Sequence, residues 1–221
     1  MYRLFFYLFF KETAVQTYIT VKGEDFDEFY EKRSRFIGYI KHVETEKEAT
    51  DFIAQIRSKH WDATHNVYAY CLRENQVKRY SDDNEPQGTA GIPVLDVLLK
   101  NDVTDVVVVV TLYFGGVILG GGGLVRAYSL SASIALKKIG MITMQMCSVC
   151  KLYCTYTQYG KIPATIASFD GVVDYSEFTD NIMVEFHLPC DNLEKLNVAL
   201  SELSCGECCA KELSKAFYEQ N

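Results

Sequence analysis

Val106-Val-Val-Val-Val110-Thr-Leu-Tyr-Phe-Gly-Gly-Val-Ile-Leu-Gly-Gly-Gly-Gly-Leu-Val-Arg-Ala-Tyr128 joins a five-valine run to a loop with six glycines between Gly115 and Gly123, and then to the opening of a helix. An unbroken β-branched run predicts a strand buried on both faces. Glycines let backbone N–H groups approach a ligand, and a helix N-terminus favours negative charge. The expectation is an anion site at Gly115, Gly116, Gly120, Gly121, Gly122 and Gly123, with Arg126 in the first helical turn as its side-chain partner. The two established phosphate motifs do not fit. A P-loop needs Lys and a hydroxyl after its last glycine, where Gly121 and Gly122 stand. A GxGxxG frame from Gly120 meets Val125 at its third glycine, and no acidic residue lies about 20 positions on, near Met144.

Downstream, Leu124, Tyr128, Ser131, Ala132, Ala135 and Ile139 mark the buried stripe of a helix that stops at Gly140. Upstream, a strand is expected near Val15–Val21 and another over Arg35–Val43. Thr45-Glu-Lys-Glu48 then makes a capping box, and Ala49, Phe52, Ile53 and Ile56 follow at helical spacing up to His60. His65–Leu72 alternates as a strand. His65 and Cys71 share a face of it but stand about 20 Å apart, too far for a nucleophile pair. These elements form a first domain over residues 15–141.

Arg79-Tyr-Ser-Asp-Asp-Asn-Glu-Pro-Gln-Gly-Thr-Ala-Gly91 packs three carboxylates into four residues. It fails the EF-hand pattern at Pro86. Either Asp82, Asp83 and Glu85 hold a metal beside the glycine loop, or the segment is a turn in which Thr89 caps a helix carrying Val94, Leu95, Leu98 and Leu99. His65, Asp82, Asp83, Glu85 and Thr89 are the candidate polar site residues.

Met141–Met146 reads as a linker. Beyond it the order is strand (148–156), helix (158–168), strand (171–176), strand (180–188), helix (191–203) and a short strand near Cys205–Ala210. This βαββαβ order is the ferredoxin-like pattern, with Asp191-Asn-Leu-Glu194 capping its second helix. The domain spans 147–212 and leaves a tail at 213–221. The fold class is α+β in two domains.

Of the net charge of -7, residues 144–221 carry -6, from five Lys/Arg against eleven Asp/Glu. That half repels nucleic acid. Phosphate contacts are therefore expected in the first half, at Lys32, Arg33 and Arg35 and at Arg79. The apolar stretch Met1–Phe10 is about half the length of a membrane span and reads as an N-terminal extension, residues 1–14, so no membrane partner is expected. Cys147/Cys150 and Cys205/Cys208 form CxxC pairs, but the first lies in a strand, where residues three apart face opposite ways. Small core residues are the favoured reading of the cysteines over zinc ligands.

Ser34-Arg-Phe-Ile37, Asp62-Ala-Thr-His-Asn-Val-Tyr-Ala-Tyr70, Arg79–Gly91 and Tyr113–Tyr128 together resemble the IMPACT (YigZ-like) family. The resemblance implies a first domain of the ribosomal-protein type seen in domain IV of elongation factor G, and a second similar to its domain V. The eukaryotic relatives restrain an amino-acid-sensing kinase with an additional N-terminal domain, which a chain of 221 residues is expected to lack. The resemblance implies translation control or RNA binding for the short bacterial type. Leu112 takes the place of the family's arginine ahead of Tyr113-Phe114-Gly115-Gly116, and Asn84 stands where glycine is common. Asn tolerates the left-handed backbone best after glycine, so the loop shape is expected to be kept.

The expected function is a cytoplasmic, non-enzymatic accessory of translation. Its partner is the ribosome, structured RNA or a translation-associated protein, with no cofactor and no catalytic residue assigned. The alternative is a metal- and anion-dependent enzyme or small-molecule sensor at Asp82, Asp83 and Glu85.

Overall fold

The computed structural model describes residues 17–220 in two units, Tyr18–Thr143 and Met144 onward. The apolar segment expected as an extension, 1–14, lies outside the described residues.

The first unit runs β1 (Thr17–Thr20), β2 (Glu24–Glu31), β3 (Ser34–His42), α1 (Glu46–Lys59), β4 (His65–Cys71), β5 (Lys78–Ser81), α2 (Gly91–Lys100), β6 (Val106–Tyr113) and α3 (Gly121–Ile139). Its sheet has the order β2-β3-β6-β4-β5, antiparallel throughout. The valine run is the central strand β6. Val106, Val108 and Val110 face α2 and α3, while Val107 and Val109 face α1, and all five are fully buried. Two covered faces explain why the run does not alternate, and each valine contributes roughly 1.5–3 kcal/mol by its burial.

Helix α1 starts with the expected capping box, Thr45 accepting from the Glu48 N–H, and buries Ala49, Phe52, Ile53 and Ile56. Helix α3 buries Ala127, Tyr128, Ser131, Ala132, Ala135 and Leu136, with Leu124 and Ile139 partly covered. It crosses β3 at Gly38, where a Cβ would lie 2.5 Å from the Ser131 carbonyl oxygen.

Two strands have no counterpart among the sequence-based expectations. Strand β2 is acidic (EDFDEFYE), and three of its carboxylates are matched by neighbours, Glu24 by Lys41, Glu28 by Arg35 and Asp25 by Lys138. Strand β5 is a four-residue edge. The Asp82–Gly88 turn is present, but Thr89 does not cap α2. Its hydroxyl donates to the Pro86 carbonyl, and the Asp82 carboxylate accepts from the N–H groups of Gly88, Ala90 and Gly91 instead.

The second unit runs β7 (Ile142–Cys154), α4 (Tyr156–Tyr159), α5 (Ile162–Ala167), β8 (Val172–Phe178), β9 (Ile182–Pro189), α6 (Leu193–Ser204) and β10 (Lys211–Glu219). Within it the strands lie in the order β10-β7-β9-β8, all antiparallel. The expected 158–168 helix is split into α4 and α5, with Pro163 in the first turn of α5. Residues 141–146 are largely strand rather than linker. The last strand begins at Lys211, so the 205–210 strand and the 213–221 tail are replaced by β10. Asp191 lies in a short 3-10 turn, and no side chain caps α6. Strand β9 alternates strictly, placing Ile182, Val184, Phe186 and Leu188 against Ile162, Ile166, Leu196 and Leu200. No helix among the described residues is long and apolar enough to cross a membrane.

Candidate functional site

Register gathers four connections at one end of the first unit's sheet. Tyr113 of β6 opposes Arg35 of β3, and Leu112 opposes His65 of β4. Ser81, the last residue of β5, opposes Tyr68. The β2–β3 turn, the loop before β4, the Asp82–Ala90 turn and the glycine loop therefore share that end.

The β2–β3 turn is Lys32-Arg33, with φ of 46° and 67°. Both residues are in the left-handed region, as a two-residue hairpin that follows the sheet twist requires, without the usual Asn or Gly. Gly115 packs on this tip. A Cβ there would lie 2.2 Å from the Arg33 carbonyl group, and the Gly115 N–H donates to Ser34 Oγ at 3.0 Å. Gly116 and Gly120 have φ of 82° and 75°. A Cβ on Gly123 would lie 2.9 Å from Leu119 Cβ. Gly120 is the N-cap of α3, and no side chain caps this helix or places an acid in its first turn. Its N-terminal donors are thus left for solvent or a ligand.

Arg126 stands in the second turn of α3, not the first, because the helix begins three residues earlier than Leu124. Its side chain points back along the helix, so that a Cβ on Gly122 would lie 3.6 Å from Nη1. Lys32 and Arg126, with Glu31, line a hollow of about 230 Å³. Lys32, Arg33 and Arg126 are exposed, and no ion pair is recorded for them among the described residues. The other two expected cations are placed differently. Arg35 is paired with Glu28 at 2.6 Å, and Arg79 lies opposite Tyr70, 3.9 Å from Glu46 on the α1 side of the sheet.

The acidic turn is divided among three tasks. Asp82 holds the start of α2, as above. Asp83 accepts from the Asn66 N–H at 2.6 Å and pairs with Arg57 at 2.8 Å. Glu85 alone turns toward the glycine loop, where its Oε1 accepts from Tyr128 at 2.8 Å. Burial and the carboxylate push the Tyr128 phenol far above its ordinary pKa, so it remains the donor. The expected metal-holding cluster is not assembled, since Asp82 and Asp83 are committed elsewhere. Among the described residues no group of three His, Cys, Asp or Glu side chains is placed to hold a metal. Asp83 and Asn84 have φ of 46° and 69°, the left-handed backbone expected where glycine is replaced.

Glu85 and the glycine loop meet in a second hollow of about 330 Å³, whose walls include His65, Leu112, Phe114, Ile118, Gly120 and Gly121. Leu112 is one of several apolar side chains of this hollow, with Phe114, Ile118, Leu119 and Leu124. The sequence reading missed Tyr128 and Phe114 as contributors, because Tyr128 carries the ordinary signal of a buried helix stripe. It also missed a chain of polar groups that runs from a buried Tyr39–His60 contact out to the exposed Asp62. Tyr39 Oη lies 2.7 Å from His60 Nε2, His60 Nδ1 lies 2.9 Å from Tyr113 Oη, and Tyr113 donates to Asp62 at 3.0 Å.

The Impact N-terminal domain family matches residues 32–136, and the domain of unknown function DUF1949 matches residues 152–207. The chain is 36% identical to the IMPACT family member YvyE of Bacillus subtilis over 93% of this chain and 95% of that one. The chain belongs to the IMPACT family. Another member, YigZ of Escherichia coli, is 32% identical over 79% of this chain and 87% of its own length. The crystal structure of a hypothetical protein, 28% identical, superposes with a TM-score of 0.58 over 90% of this chain and 98% of that one. The IMPACT-family chain is thus a two-domain α+β protein with an Impact N-terminal domain followed by a DUF1949 domain.

Proposed function

We propose that this IMPACT-family protein is a non-enzymatic, cytoplasmic accessory of translation that binds structured RNA, foremost on the ribosome, through the loop end of its first unit. The observation that carries the reading is Lys32 and Arg126 sharing one hollow beside the uncapped start of α3, with Arg33 exposed next to Lys32 in the β2–β3 turn. Cations and backbone donors together suit phosphate. Phe114, 48% exposed on the glycine loop, and Trp61, 83% exposed ahead of β4, add aromatic faces on which unpaired bases stack. The second unit, with its charge excess of -6 over residues 144–221, contributes no phosphate contact. Ribosome cosedimentation at low salt, where counterion release favours binding most, tests the reading. The expected result is association that fades as salt rises, and absence of association at low salt would end it.

A further inference from the structure

The two hollows at the loop end of the first unit are neighbours, because Leu119 lines both. One holds Lys32 and Arg126 with a single carboxylate, Glu31. The other, of about 330 Å³, is walled by Leu112, Phe114, Ile118 and Leu124. Leu119 is packed against the core between α3 and the sheet, so the fold itself fixes the partition between a cationic hollow and an apolar one. Phe114 is the aromatic side chain of the apolar hollow and is half-exposed. Its N–H donates to Thr64 Oγ1 at 3.0 Å, which ties the glycine loop to the segment ahead of β4.

Cations beside an apolar hollow with an aromatic wall suit a ligand that joins a phosphate to a flat, largely apolar group. Thr64, His65 and Glu85 also line the apolar hollow. Its occupant must therefore bring polar edges, since polar groups covered by hydrocarbon are costly. A nucleobase meets that condition and an acyl chain does not. We propose that the apolar hollow seats one unpaired base of an RNA strand, stacked on Phe114, while a neighbouring phosphate of the same strand lies in the Lys32–Arg126 hollow. Every base has a π-face, so the seat accepts any of the four. This rests on the RNA reading above and adds to it a place for the base.

Fluorescence anisotropy with the full chain tests the seat by comparing pentauridylate with a pentamer of equal phosphate count whose riboses carry no base, across a range of salt concentrations. Pentauridylate should bind tighter by about tenfold. The two salt slopes should match, because the phosphates are the same. Phe114→Ala, at an exposed site, should remove most of the advantage of the bases and leave the slope unchanged. Trp61→Ala, outside the hollow, should lower that advantage less. Equal affinity for the two pentamers, an advantage that survives Phe114→Ala, or a loss on Trp61→Ala as large as that on Phe114→Ala overturns the proposal. Uridine monophosphate binding as tightly as the pentamer makes the ligand a free nucleotide and overturns it too. If both pentamers bind equally and release with salt, the base seat is refuted and the RNA reading stands. If neither binds at low salt, the RNA reading fails and the base seat with it.

Discussion

Replacing Asp82 tests how the acidic turn is built. Its Oδ1 accepts from Ala90 and Gly91 at 3.1 and 2.8 Å, and its Oδ2 from Gly88 at 2.9 Å. Hydrogen bonds to a charged group contribute about 1.5–3 kcal/mol each. Three that share one half-buried carboxylate, discounted for solvent, give about 3 kcal/mol for Asp82→Ala, and at about 4 °C per kcal/mol that is a loss of roughly 12 °C. Asp82→Asn keeps the two bonds to Oδ1 and turns an N–H₂ toward Gly88, so about half the loss is expected. Thr89→Ala removes only an exposed hydroxyl and should cost no more than about 0.5 kcal/mol. Calorimetry of the full chain gives the stability, and amide exchange over residues 91–100 reports α2 directly. A Thr89→Ala loss equal to or larger than that of Asp82→Ala would refute the reasoning.

Gly115→Ala pushes a methyl group into the Arg33 carbonyl, 2.2 Å away, whereas Gly116→Ala meets nothing within 4 Å and suffers only its φ of 82°. The first should cost about 3 kcal/mol or more and the second about 1 kcal/mol, as thermal denaturation of the two variants would check. Burial holds the His60 imidazole below its ordinary pKa, with the charges of Lys59 and Arg35 acting in the same direction. The unfolded chain therefore takes up a proton near pH 6.5 that the folded chain refuses, so the stabilising effect is complete above about pH 6.5 and is lost as pH falls. Stability measured from pH 7.5 to 5 should decline by up to about 1.4 kcal/mol per pH unit from this group, and His60→Gln should flatten the decline. Burial raises the thiols of Cys71, Cys147 and Cys154 to about 11 and that of Cys150 to about 12. Alkylation of the native protein at pH 8, read by mass spectrometry, should label exposed Cys205 and Cys209 and spare those four.

Where burial and capping dominate, the chain was legible. The valine run, the Thr45–Glu48 box and the Ala49/Phe52/Ile53/Ile56 stripe each state one local rule that the packing obeys. Strands β2 and β5 were not legible, because edge strands draw order from pairing with β3 and β4, which no local pattern records. The same limit applied to the site. Glycines and acids were visible as unusual, but their separate duties depend on tertiary neighbours. Gly115 answers to Arg33, Asp82 to the start of α2, and Glu85 to Tyr128, 43 positions away. The convergence of the two loops on one hollow is a property of sheet register, and only the structure supplies it.

The salt dependence of RNA or ribosome binding tests the central claim most directly. Each phosphate contact contributes about 0.9 to the slope of log K against log salt on a duplex, and about 0.7 on a single strand. The Lys32→Ala/Arg33→Ala/Arg126→Ala variant should weaken binding at low salt and reduce the slope by about 2 to 3. Arg79→Ala, on the other side of the sheet, should leave it unchanged. An unaltered slope in the triple variant would contradict the account.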